Sequence, residues 1–445
     1  MTELPVVVIG GGPQGLAAAA HLLERGLEPL VVESGDGPAA AVAEWAHVRT
    51  FSPWPELVDA AAARLLERAD WTAPSAGYPT GREWLDTYLT PLAEALGDRV
   101  RYCTQVVGVS RRGHDRVVSA GREHEPFVVH VTDHLGHESR LAARAVIDAS
   151  GTWYQPNPAG ADGLPAIGER QAVAAGVVSY VPPTREQSAG WAGLHIVIVG
   201  SGHSAMTAVI DLAEAARRDP STRVTWVLRR GAVGDTFGGG ESDALPQRGA
   251  LGKRAHAAVQ AEMVTLLTGF RTERIELTGD RAVLIAEDGR SLPAADHVVA
   301  LTGFRPDLSF LSEMRLELDP VLQAPSKLAP EIDPNVHSCG SVPPHGAAEL
   351  AHPAEPGLYL VGMKSYGRAP TFLALTGYEQ VRSVAAALAG DHDAAGKVEL
   401  VLPETGVCSG TGLAEDAGVT GEGGCGAGVA TPSAPLSVSL NPIGG

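Results

Sequence analysis

The chain has 445 residues, 44% of them hydrophobic and 19% charged, which is enough to bury the cores of roughly two to four domains and excludes a disordered chain. Its 34 Lys and Arg against 52 Asp and Glu leave a formal charge of −18. Such a surface repels phosphate backbones and excludes nucleic acid as the main partner.

The first 35 residues read as one βαβ unit. Val6–Ile9 is a β-branched run suited to a strand buried on both faces, Leu16–Arg25 is an Ala- and Leu-rich helix stopped by Gly26, and Leu30–Glu33 is the next strand. Trp84–Leu96 reads as an amphipathic helix. Val100–Val109 and Phe127–Thr132 read as strands around a polar turn region at 111–125. Val146–Asp148 is a buried strand entering Ala149-Ser150-Gly151, and Gln155–Pro165, with three prolines, reads as an interdomain linker. The opening pattern then returns about 190 residues after its first copy: strand His195–Val199, turn Gly200–Gly202, helix Ser204–Arg217, strand Arg223–Leu228. Arg281–Glu287 and Val298–Leu301 are further strands, Leu358–Val361 a last strand and Thr371–Leu388 a last helix. From Pro403 onward there is no Lys or Arg and much Gly, so the tail reads as disordered.

Gly10-Gly11-Gly12-Pro13-Gln14-Gly15 satisfies GxGxxG between a strand and a helix, and Glu33 stands 23 residues after Gly10 at the end of the next strand. That context is the dinucleotide fingerprint. Gly10 allows the tight turn, Gly12 lets the backbone approach a pyrophosphate, and Gly15 allows close helix–strand packing. Free N–H groups and the positive helix end favour phosphates by ~0.3–1 kcal/mol per charge. Glu33, with Ser34 beside it, would accept from ribose hydroxyls, and the N-terminal position fits FAD. The second loop, Gly200-Ser201-Gly202-His203-Ser204-Ala205, is a GxGxxA variant. Where the first unit has Glu33, the second has Arg229, followed by Arg230. A guanidinium binds the 2′-phosphate that a carboxylate would repel, so the expected cosubstrate is NADPH rather than NADH. His203 reads as a positioning donor on this loop. The expected architecture is α/β with two Rossmann-like dinucleotide-binding domains. The FAD domain is discontinuous, at 1–160 and 330–402, around an NADPH domain at 161–329, and the Gly-rich tail is 403–445.

The four cysteines, Cys103, Cys339, Cys408 and Cys425, form no CxxC, which excludes a thioredoxin-reductase dithiol and zinc-ribbon spacing. The histidines at 114, 124, 130, 134 and 137 offer no ligand triad and read as polar surface, so no metal site is expected. Cys408 and Cys425 in the tail read as exposed thiols. The competing reading is capture of a soft ion such as trivalent arsenic, with Cys339 as a third ligand. No apolar run approaches the ~18–20 residues that span a bilayer, and MTELPVVVIG lacks a basic n-region. No membrane partner is expected, and the chain reads as cytoplasmic.

Together these features resemble the class B flavin-dependent monooxygenases, with the fold of two-dinucleotide-binding flavoproteins, over about residues 4–395. The pieces that carry the resemblance are the two glycine loops, Tyr78-Pro79-Thr80 with Tyr88-Leu89, Thr104–Val109, Ala149-Ser150-Gly151 and Leu301-Thr302-Gly303-Phe304-Arg305-Pro306-Asp307. The last resembles the ATG-Y motif, with Leu301 and Phe304 as departures, and Leu358–Met363 resembles the returning flavin-domain strand. A larger departure is the absence of FxGxxxHxxxW and FxGxxxHS between the halves. There, 167–181 offers only Gly168, Gly176 and Tyr180, unlike Baeyer–Villiger enzymes. Pro13 is similar to the N-hydroxylating amine monooxygenases. Gly340–Arg368 and the ending LPETGVCSG resemble flavin monooxygenases encoded beside arsenic-resistance genes.

The resemblance implies that reduced flavin and oxygen give a C4a-hydroperoxide, which oxygenates a small soft-heteroatom, amine or arsenical substrate. It further implies cofactor contacts at Trp45, Val106, Gly151, Thr302, Gly303, Gly362 and Thr371, beyond those of the glycine loops. Arg49 and Ser52, after the first βαβ unit, are candidates to bond the flavin ring. Lys364 is a candidate to stabilise the anionic reduced ring near N1, and Tyr366 and Arg368 to line the pocket. The implied partners are a small molecule and oxygen, and a homodimer is compatible with the sequence. Two other readings stay open. One is an FAD-dependent NADPH reductase or oxidase that passes electrons to a quinone, a protein or oxygen. The other is a dinucleotide-binding sensor without turnover.

Overall fold

In the computed structural model, which describes residues 4–238, 246–336, 345–370 and 372–400, the chain opens with strand β1 (Val6–Ile9), helix α1 (Pro13–Glu24) and strand β2 (Pro29–Val32). Four consecutive β-branched residues, all buried, make β1 a central strand. Helix α1 begins at Pro13 rather than Leu16, because a proline at the first helical position gives up only an N–H that would have no partner there. The helix expected from Trp84 starts at Gly81. Gly81–Trp84, a π-helical Leu85–Leu89 and Thr90–Leu96 run on from one another, and Thr80 with Glu83 forms the capping box that sets the start.

The single strand expected over Val100–Val109 is two strands, β3 (Val100–Arg101) and β4 (Thr104–Arg111), separated by Cys103 at φ +51°. They serve different sheets. β3 lies parallel to β2, whereas β4 pairs antiparallel with β5 (Phe127–Asp133), which pairs in turn with β6 (Glu138–Ala143), a strand without counterpart in the sequence reading. The chain then returns to the first sheet as β7 (Ala145–Asp148), beside β1.

The second half holds β8 (Val178–Ser179), β9 (His195–Val199), helix α2 (His203–Arg218), β10 (Arg223–Val227), helix α3 (Pro246–Gln260), β11 (Thr265–Leu267), the antiparallel pair β12 (Thr272–Thr278) and β13 (Arg281–Ala286), and β14 (His297–Ala300). β15 (Leu358–Leu360) and helix α4 (Ala374–Leu388) complete the first half. The two main sheets are wholly parallel, in the orders β15-β7-β1-β2-β3 and β11-β10-β9-β14-β8. In each, the strand leading into a glycine loop stands third of five, so each loop opens at the middle of a carboxyl edge, where such sheets bind ligands.

Packing places the second domain boundary earlier than residue 329. Leu311 and Met314 join the core of Val7, Ile9 and Val106, and Leu322, Ala324 and Leu328 join that of Leu16 and Val361. By Leu311 the chain has rejoined the first half, because these apolar side chains find their partners there. The five clustered histidines lie on or beside β4–β6, and His137 pairs with Asp133. Among the described residues no helix is long and apolar enough to cross a membrane.

Candidate functional site

The first glycine loop closes tightly against its own sheet. Gly10 sits at φ +98°, where a Cβ would come within 2.8 Å of the Ala149 carbonyl oxygen, and a Cβ on Gly15 would lie 1.9 Å from the Gly10 carbonyl oxygen. Only glycine fits either position. A Cβ on Gly12 would meet nothing within 4 Å, and no side chain caps the helix that starts after it. Open backbone N–H groups therefore face the place a pyrophosphate needs. Glu33, 7% exposed, accepts from the Gly11 N–H at 2.6 Å and the Gly35 N–H at 2.8 Å, with the Ser34 hydroxyl at 3.3 Å. Gln14 packs against Gly362 and Gly377 and donates to the Ala374 carbonyl at 3.0 Å, while its Oε1 is buried without a donor. A buried amide oxygen without a donor costs free energy, and a hydroxyl-bearing ligand would supply one. The open glycine, the uncapped helix and this orphan acceptor fit FAD. Gly151, at φ +68°, and Gly362, at φ +67°, flank the same region.

The second loop repeats the geometry. Gly200 is at φ +128°, with a Cβ position 2.2 Å from the Leu301 carbonyl oxygen, and Gly202 faces open space. His203 begins α2 and sets its ring against Phe51, centroids 5.0 Å apart, joining the two halves. At the end of β10, Arg229 is exposed and donates to the Ala161 carbonyl at 3.1 Å, and Arg230 is half-buried beside it. The supposed linker is strapped down. Thr302 Oγ1 donates to the Asn157 carbonyl at 2.5 Å, the Asn157 N–H to the Gly303 carbonyl at 2.9 Å, and Arg305 Nε to Asn157 Oδ1 at 2.8 Å. A cleft of about 410 Å³ results, lined by Gly200–Ser204, Arg229 and Arg230 from one half and by Met363 and Arg368–Pro370 from the other.

Other candidate residues lie elsewhere. Arg49 is more than half exposed. It donates to the Tyr78 carbonyl and stands 3.7 Å from Glu83, so it braces the 78–83 segment. Ser52 is buried beside Phe51. Lys364, expected at flavin N1, has no exposure at all. Its Nζ lies 2.6 Å from Asp148 Oδ2, donates to Ser150 Oγ at 2.9 Å and sits 4.3 Å from the Phe310 ring centre. Its charge is matched by Asp148, and Ser150, to which it donates, adjoins Gly10. Val106 is a core side chain, and Trp45 packs on Trp84 over Gly81. Thr371, Cys339, Cys408 and Cys425 lie outside the described residues. Sequence reasoning missed Asp148, Asn157 and Gln380, whose Oε1 accepts from the Gly362 N–H at 2.7 Å. An aspartate closing the apolar run Ala145-Val146-Ile147 was the one available signal, since a fully buried carboxylate requires a cation.

The pyridine nucleotide-disulphide oxidoreductase family matches residues 7–326. A ferredoxin–NADP reductase from Salinispora arenicola is 28% identical over 335 residues, covering 72% of this chain and 80% of that protein. Among solved structures, the bacillithiol disulfide reductase of Bacillus cereus aligns over 87% of this chain and 99% of its own, with TM-score 0.66 and 20% identity. The ornithine hydroxylase of Pseudomonas aeruginosa aligns over 88% and 100%, with TM-score 0.59 and 18% identity. The two structures share the fold, and one is a reductase while the other is a hydroxylase. The chain is an enzyme that works with FAD and a nicotinamide dinucleotide, and it belongs to the pyridine nucleotide-disulphide oxidoreductase family.

Proposed function

We propose that this chain is an NADPH- and FAD-dependent monooxygenase of a small soft-heteroatom, amine or arsenical substrate. The observation that carries the reading is the single cleft in which the second glycine loop and its arginines face Met363 and Arg368 of the flavin half. When bound, FAD takes two electrons from the nicotinamide and passes them on. The chain's own work is to hold both dinucleotides. Gly12, Gln14 and Glu33 serve the first, and Gly202, Ser204, Arg229 and Arg230 serve the second. The strap of Thr302, Gly303 and Asn157 fixes the wall between them. Among the described residues no dithiol lines the cleft, and Cys103, which lies beside Gly35, is their only cysteine.

The balanced reaction is substrate + NADPH + H⁺ + O₂ giving oxygenated substrate + NADP⁺ + H₂O. The second reading, transfer to a protein carrier, draws on the ferredoxin–NADP reductase relatives. Turnover under ¹⁸O₂ with a panel of sulfides, amines and arsenite tests the choice. The label is expected in one product, with hydrogen peroxide below the NADPH consumed. Peroxide equal to NADPH with every member, and no labelled product, would refute it.

A further inference from the structure

The cleft between the halves has arginines on both walls and no carboxylate among its lining residues, in a chain of charge −18. The phosphates of a nicotinamide dinucleotide already have donors there: Arg229 and Arg230 for the 2′-phosphate, and the open start of α2 for the pyrophosphate. Arg368 is left over. It lies on the opposite wall, in the flavin half, next to Ala369 and Pro370 and near Met363.

Its placement is built. The Arg368 N–H donates to the Leu322 carbonyl at 2.7 Å, and its Nε donates to Gln323 Oε1 at 2.8 Å. The neutral amide of Gln323 orients the guanidinium without neutralising it, and no Asp or Glu among the described residues pairs with it. The charge that it feels is a like one. Arg305 is fixed by Asn157 Oδ1 at 2.8 Å and the Gly163 carbonyl at 3.0 Å, and burial, then the field of Arg368, pushes its pKa down. Two oriented cations without a counter-charge repel each other until an anion completes the arrangement.

We infer that Arg368 selects the substrate, requiring a carboxylate or an equivalent oxyanion on a small molecule and anchoring it at the flavin end of the cleft. The inference rests on the proposed reading only in taking this cleft as the place where substrate meets flavin. The planar fork of Arg368 keeps its two Nη groups for the ligand, a geometry that matches the two oxygens of a carboxylate.

The test titrates the purified flavin-loaded enzyme with matched pairs, (methylthio)acetate against (methylthio)acetamide and 4-(methylthio)benzoate against 4-(methylthio)benzamide. Binding is read from the shift in the flavin absorption spectrum, without NADPH. The carboxylate of at least one pair should bind roughly 10- to 100-fold more tightly than its amide, the range of a charge-assisted contact. Arg368→Gln should bring the pair to parity, and Arg368→Lys should recover part of the preference. Arg229→Gln should weaken NADP⁺ and leave the preference intact. Equal binding within every pair, or no binding by any member, overturns the inference. So does an Arg368→Gln enzyme that keeps the preference and loses NADP⁺ affinity, for then the arginine serves the nucleotide. Because the titration involves no oxygen, its failure is distinct from a failure to insert oxygen.

Discussion

At the end of the first unit's second strand stands Glu33, 7% exposed and bonded to Gly11 at 2.6 Å, whereas its counterpart in the second unit, Arg229, is exposed and donates to the Ala161 carbonyl at 3.1 Å. The turns themselves are alike. Gly10 backs onto the Ala149 carbonyl as Gly200 backs onto that of Leu301, each a strand end one place along its sheet. The motif thus dictates the turn, and its surroundings dictate the ligand's fate. The first loop is walled in by Gln14, α4 and the buried Lys364–Asp148 pair, as suits a dinucleotide that stays. The second opens onto the cleft, as suits one that must come and go.

If the flavin side is a sealed interior, its charge pair should be the costliest place to disturb. Lys364→Met leaves Asp148 buried and unmatched, which should lower unfolding stability by about 3–5 kcal/mol. Lys364→Met with Asp148→Asn should recover most of that. Chemical denaturation with the flavin content measured in parallel checks both, and a single variant as stable as the wild type would mean that the pair is not the seal described. On the open side the effect should be smaller and purely one of choice. Arg229→Glu should shift the ratio of NADPH to NADH efficiency roughly 100-fold toward NADH with unchanged thermal stability, read from steady-state kinetics. An unchanged ratio would remove Arg229 from 2′-phosphate recognition.

Both loops were legible in the sequence because their glycine spacing is itself a steric requirement. A Cβ on Gly15 would strike the Gly10 carbonyl however the rest of the chain is arranged. Arg368 was also placed near the pocket from its position after the last strand. What stayed hidden depends on partners distant in the chain. Lys364 meets Asp148 only after the whole second half has been inserted, so its burial could not be read from its neighbours. The break at Cys103 hid inside a run of strand-forming residues, because what divides β3 from β4 is the sheet each one joins. The early return to the first half hid for the same reason, since Leu311 and Met314 differ in no local way from residues of either core.

The most direct measurement of the central claim, that two dinucleotides meet across one cleft, is anaerobic rapid mixing of the flavin-loaded enzyme with NADPH or NADH while the flavin absorbance is followed. Complete bleaching by NADPH at enzymatic rates, roughly 1–10³ s⁻¹, and far slower bleaching by NADH are expected. A flavin that neither nucleotide bleaches, or that both bleach equally fast, would contradict it.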